Sequence, residues 1–254
     1  MITLLHLCYP AYLSKNKIVH EHIDGALMKA LDKYLMEGVF EYMKEIIEDD
    51  NMVKKNPLKI YAIARNLGWD DLTRRAAREA LKFGILTAEP IPELKLISGH
   101  EYQLLIRYFS ACSTAVTRFL RPAVLNNTQR ILARNRIPEH IAQSVFACSP
   151  SSQPSYSKNQ TCSHTGCYII VGTDINHRTS HMMHAWFVDY IREIFEDVSL
   201  RPGHGVIISP TKIEEILIKA ETQCATQKPT AVRALLEWLN TEIDYIINQV
   251  TLEL

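Results

Sequence analysis

Glycine is scarce in this chain, with nine among 254 residues. That argues against a Gly-rich phosphate cradle and against a turn-rich β architecture. Neither sign of charge predominates, since Lys+Arg and Asp+Glu are both 28. No global field therefore draws the chain to nucleic acid or to an anionic membrane. Six cysteines do not suggest a disulfide scaffold, and they fit a reducing cytoplasm or nucleus. No apolar run reaches the length of a membrane span. The opening MITLLHLCYPAYLS is apolar, but it lacks a basic leader and a small-x-small cleavage site, and Pro10 interrupts it. The sequons at Asn126 and Asn159 are accordingly read as inert. Catalytic signatures are missing as well. In His20-Glu21-His22 the second histidine is misplaced for a zincin helix, Gly203-His204-Gly205 reads as a turn, and there is no nucleophile elbow or Walker loop. Asp49-Asp50 and Glu214-Glu215 read as solvated helix ends and faces. These absences weigh against an enzyme.

What the chain does have is helical spacing nearly everywhere. The length suits one large or two modest domains, and 47% hydrophobic content is ordinary for a globular fold. From about Asp24 to Gly38, Leu27, Leu31 and Leu35 recur at four, and Val39, Tyr42 and Ile46 continue the pattern. Asn56 then suits an N-cap, with Pro57 at the first helical position. Leu58, Tyr61, Ala62 and Leu67 form one stripe, and Gly68 stops the helix at a left-handed position. Asp70 suits the cap of a second helix that buries Leu72, Ala76, Ala80 and Leu81 and exposes Arg74, Arg75, Arg78 and Lys82. Two short helices about a Gly-Trp turn make an αα-hairpin.

Pro90 and Pro92 mark a loop, and Ser98 with Glu101 is a capping box. The helix it opens carries Tyr102, Leu105, Ile106, Phe109, Val116 and Phe119. Residues 148–165 are rich in Ser, Pro, Asn, Gln and Thr and read as a linker. Tyr168–Val171 is a short apolar run, one strand of at most a short hairpin. A helix from about Ser180 to Ser199 buries Met183, Trp186, Phe187, Tyr190, Ile191, Ile194 and Val198. After an Arg201-Pro202-Gly203 turn, Ser209-Pro210 starts a helix with Ile213, Ile216, Leu217 and Ala220. The last helix has the most complete stripe: Val232, Leu235, Leu236, Leu239, Ile243, Ile246, Ile247 and Val250. Trp69, Trp186 and Trp238 read as core.

The run NPLKIYAIARNLGWDDLTRRAAREALKF (Asn56 to Phe83) resembles the segment that follows the BTB/POZ fold in a large group of fungal BTB proteins. They read "PL-x-x-YAIA-x-x-x-GWED-x-A-x-x-AA" there, matched by Pro57, Leu58, Tyr61–Ala64, Gly68, Trp69, Asp70, Ala76 and Ala77. LLHLCYP is similar to the family's "LL-x-x-LYP", and ISGHEYQLLIRY to its "ITG-x-x-Y-x-x-LL-x-Y". Trp186, Tyr190, Arg201, Pro202, Gly205, Cys224 and the terminal IINQVTLEL extend the likeness over nearly the whole chain. The resemblance implies a mainly α protein. Residues 1–50 are the C-terminal helices of a BTB/POZ module, 51–147 a helical BACK-like region, 148–167 a linker and 168–254 a C-terminal helical region with a short β-hairpin. It also implies a chain that starts midway through the module, without its sheet and usual dimerising face. The apolar Met1–Tyr12 would then self-associate or limit solubility. The implied function is a protein-interaction adaptor of the cytoplasm or nucleus, for ubiquitin-ligase recruitment or transcriptional regulation, with a non-functional truncated gene product as an alternative.

Two features bear on chemistry. Cys162, His164, Cys167 and Cys224 are candidate zinc ligands, with His177, His181 and His184 nearby, because thiolates and imidazoles are the donors zinc takes. The family's two C-x-x-C pairs are altered here: Cys162 and Cys167 are separated by four residues instead of two, and the second pair reads Cys224-Ala-Thr-Gln227. His164 with Cys167 makes an H-x-x-C pair able to compensate, as are His181 or His184 if either faces inward. The ordinary reading is a polar loop with half-buried cysteines and no cofactor. The second feature is the acid-free stretch from Tyr102 to Pro138 with Arg107, Arg118, Arg121, Arg130, Arg134 and Arg136. A solvated helix face explains it, and a nucleic-acid-associated regulator using residues 107–136 is the rival reading. The last four arginines have no interleaved aromatic platform, which disfavours nucleic acid.

Overall fold

A computed structural model describes residues 25–85, 90–124, 167–174, 177–203, 210–223 and 229–254. The apolar N-terminus, residues 1–24, and residues 148–166 of the expected linker lie outside the described residues. The protein is mainly helical, as the spacing predicts. It divides into two compact units, Met1–Tyr108 with Leu252–Leu254, and Phe109–Thr251.

The first unit holds α1 (Gly25–Lys33), α2 (Glu37–Glu48), α3 (Asp50–Lys55), α4 (Pro57–Leu67), α5 (Asp70–Ala80), a 3-10 helix (Pro92–Leu96) and the start of α6 (Gly99–Val124). Its centre is α4. Ile60, Tyr61, Ala62, Ile63 and Ala64 are five successive residues, each no more than 1% exposed. A helix buried all round is enclosed by its neighbours, here α3, α5 and the 3-10 helix. The single stripe expected from the sequence is therefore too narrow. On α5, Ala76, Ala77 and Ala80 are buried, so the two helices pack through small side chains. Thr73, also buried, donates its hydroxyl to the Trp69 carbonyl at 2.8 Å and leaves no unmet donor.

Asp49, an exposed helix end as expected, caps α3, its Oδ1 accepting from the amides of Asn51 (2.9 Å) and Met52 (3.3 Å). Capping departs from expectation in two places. Asn56 stands at the N-cap of α4 without a side-chain bond. Asp70 is the first residue of α5 rather than its cap, and it lies 3.9 Å from Arg65 in an ion pair.

The larger departure is at Leu35. The spacing predicts one helix through Gly38 with Leu35 in its apolar stripe. Instead α1 ends at Lys33, and Leu35 takes φ +53° with 81% of its surface exposed. The closing bond is the amide of Met36 to the carbonyl of Leu31, 3.0 Å, five residues back. Helix α4 ends the same way, with Gly68 at φ +73° and Trp69 N–H bonded to the Ala64 carbonyl at 2.9 Å. Both are Schellman closures, which favour glycine at the left-handed position. Leucine there pays a steric penalty of about 1–2 kcal/mol. Leu35→Gly is therefore expected to raise stability by about 1 kcal/mol, read as a higher denaturant midpoint at unchanged slope. A lowered midpoint would mean the leucine side chain supports the fold.

In the second unit, Phe109, Cys112, Val116 and Leu120 line the buried face of α6. The backbone of β1 (Cys167–Asp174) pairs antiparallel with β2 (His177–His184), and α7 (Ala185–Leu200) follows directly. The helix thus starts five residues later than the sequence suggests, and Met183 belongs to β2. Helix α7 packs on α8 (Pro210–Gln223), and α8 on α9 (Pro229–Asn248). Trp186, Phe187, Tyr190, Ile191, Ile194 and Val198 of α7 are buried, as their spacing predicts. So are Val232, Leu235, Leu236, Leu239, Ile243 and Ile247 of α9, whereas Trp238 is half-buried.

Candidate functional site

The candidate zinc ligands are only partly placed. Cys162, His164 and Cys224 lie outside the described residues. Cys167 opens β1, where its backbone stands opposite His184 of β2. Among the described residues no group of three or more His, Cys, Asp or Glu side chains gathers as a metal site. Of the arginine-rich stretch, Arg107 lies 3.6 Å from Glu253 in an exposed ion pair, Arg118 is exposed on α6, and Arg121 continues that helix. Arg130, Arg134 and Arg136 lie outside the described residues.

The first unit carries a polar node that the sequence shows only in part. Ser98 and Glu101 form the expected capping box: the Ser98 amide donates to Glu101 Oε2 at 2.7 Å, and the Glu101 amide to Ser98 Oγ at 3.2 Å. The other carboxylate oxygen, Oε1, is 3.1 Å from Arg65 Nε, an ion pair whose N–H is not aimed as a hydrogen bond. The Tyr61 hydroxyl donates to the Glu101 carbonyl at 3.1 Å. One residue therefore ties the start of α6 to α4 through both its side chain and its backbone.

Bonding to the Ser98 amide, with smaller help from the Ser98 hydroxyl and Arg65, holds the Glu101 carboxyl below the ordinary glutamate range. The folded state thus gains stability from the ionised form. That gain is full above the ordinary value and is lost as pH falls through the lowered folded one. Glu101→Gln is expected to cost about 1 kcal/mol at neutral pH and to flatten the acid limb of the stability curve. Urea titrations of both proteins from neutral to acid pH check this. Parallel curves would remove Glu101 from the acid response.

The other feature is a surface. Among the described residues six large hydrophobic side chains are exposed, and only Tyr34 (63%) and Leu35 (81%) are neighbours in sequence. They form the turn between α1 and α2, which pack on each other. Exposed Lys29 and Lys33 stand on the α1 side, four residues apart, and exposed Glu37 and Glu41 on the α2 side at the same spacing. Lys33 Nζ lies 5.8 Å from the centroid of the Tyr34 ring. Farther along α2, Phe40 meets half-buried Trp69 edge to face (5.8 Å, 78°), and Lys44 Nζ lies 5.6 Å from the Trp69 ring. That contact braces α2 against the α4–α5 turn and so fixes the base of the exposed turn. Sequence reading missed this surface because Lys-Tyr-Leu-Met-Glu has no residue that demands a helix stop. The Lys29/Lys33 and Glu37/Glu41 spacing was the available signal.

No described helix is long and apolar enough to cross a membrane. In comparisons with known proteins, the chain matches no family model, no curated protein and no solved structure.

Proposed function

We propose that the chain is a protein-interaction module, an adaptor of the BTB type acting in the cytoplasm or nucleus. In this reading α1 and α2 are the last helices of a BTB/POZ module, α3 to α6 a BACK-like helical region, and β1 with β2 a short hairpin leading into the C-terminal helices. The supporting observation is the Tyr34–Leu35 turn. A large apolar residue is kept exposed at a backbone angle that disfavours it, on a base fixed by the Phe40–Trp69 contact. Strain and exposure at one residue are a stability cost that a binding role explains. The sequence resemblance supplies the class of work: bridging proteins, as in substrate recruitment to ubiquitin ligases or in transcriptional control.

The test is capture of proteins cross-linked to the chain in cells, with nuclease treatment, followed by titration of each purified candidate. A direct protein complex, weakened at least tenfold by Leu35→Asp, is expected. No direct protein binding after nuclease treatment would contradict the reading. The nucleic-acid alternative gains nothing from Arg107, already opposed by Glu253. A steep fall of nucleic-acid affinity with salt would revive it.

A further inference from the structure

We infer that the surface of the first unit around Arg107 is a docking site for an extended segment of a partner protein, one with an acidic residue between two large apolar ones. Leu252–Leu254 of this chain hold that site in cis until such a segment displaces them. The inference goes beyond the Tyr34–Leu35 turn and stands on separate observations.

Helix α9 ends at Asn248, and Thr251 to Leu254 are neither helix nor strand. Leu252–Leu254 nevertheless belong to the first unit, while Thr251 belongs to the second. Exposure alternates along the segment: Thr251 and Glu253 are exposed, Leu252 and Leu254 half-buried. A period of two is what an extended chain shows when one side lies on a surface and the other faces water. On the water side, Glu253 lies 3.6 Å from Arg107 of α6 in an ion pair. The segment thus displays the chemistry that this surface accepts, leucine-acid-leucine with a guanidinium against the acid. Extended peptides dock in this way, with alternate side chains supplying the specificity. The hold is light. Both leucines are buried only in part, and the ion pair is exposed on both sides (66% and 70%) and so contributes little. What keeps the segment in place is its tether, which gives it an effective concentration on the order of millimolar. A partner segment of the same pattern therefore competes for the site, and the unchanged chain masks it.

Fluorescence anisotropy of a labelled peptide carrying residues 249–254, Gln-Val-Thr-Leu-Glu-Leu, titrated with the full chain, tests it. L252S/L254S in the chain removes the two apolar anchors and frees the surface. That variant is expected to bind the peptide about tenfold more tightly than the unchanged chain, because the segment no longer competes in cis. A peptide with E253R is expected to bind the same variant about threefold more weakly, the effect of one exposed ion pair. Adding Arg107→Glu to L252S/L254S is expected to reverse that preference, so that the E253R peptide binds better than the unchanged one. A merely structural role for Arg107 would not produce the reversal. Circular dichroism of each variant confirms that the helices are retained. Equal peptide binding by the unchanged chain and by L252S/L254S overturns the inference, as does no binding to either at millimolar peptide. A charge preference that Arg107→Glu leaves unreversed overturns it too, because the acid is then read elsewhere.

Discussion

Replacing Trp186 by alanine is expected to destabilise the second unit by about 3–5 kcal/mol. The indole is 1% exposed at the first turn of α7 and meets the Phe187 ring edge to face at 5.6 Å and 71°. Truncation leaves a void beside Phe187, Tyr190 and Ile191, which are themselves buried. A packed interior relaxes only partly around such a void, so the lost contacts are not recovered. Trp186→Phe separates ring loss from size loss and is expected to cost less than half as much. Chemical denaturation followed by helix signal reads both. A Trp186→Ala cost below about 1 kcal/mol would show that α7 is not anchored there.

A comparable loss, about 3–5 kcal/mol, is expected for Tyr61→Ala in the first unit. Tyr61 is 1% exposed in the most buried stretch of α4, and its hydroxyl reaches the Glu101 carbonyl. Tyr61→Phe keeps the ring and removes only that bond, for an expected cost of about 1 kcal/mol. The two substitutions thus divide the residue into packing and polar parts. Burial pushes the Tyr61 hydroxyl up to about 12, Arg65 opposing the shift and Glu101 adding to it. A raised folded value means that its contribution is complete below the ordinary tyrosine value of 10.0 and fades as pH climbs from there toward about 12. Stability should fall over that window in the native protein and fall less in Tyr61→Phe. The same alkaline loss in both proteins would assign it to other groups.

How legible each element was depended on how local its cause is. The stripes of α7 and α9 could be read directly, because burial of one helix face repeats at three and four whatever the partner. The Ser98–Glu101 box was legible for the same reason, its bonds spanning three residues. Gly68 announced its own turn. Leu35 did not, since the same Schellman closure there runs against the preference of the residue. The all-round burial of Ile60 to Ala64 was likewise hidden: periodicity shows which face meets a first neighbour, not how many neighbours there are. The Arg65–Glu101 pair joins residues 36 positions apart, beyond any local pattern. The exposed α1–α2 turn was legible only as charge spacing, because its exposure follows from a backbone closure that the sequence disguises.

The claim that this protein works by meeting other proteins at the α1–α2 turn is tested most directly by a photo-reactive residue at position 35. A control with the same residue at position 74, exposed on α5, measures background. Irradiation in cells is expected to yield discrete protein adducts from position 35 and only background from position 74. Equal adducts from both positions, or adducts to nucleic acid alone, would contradict it.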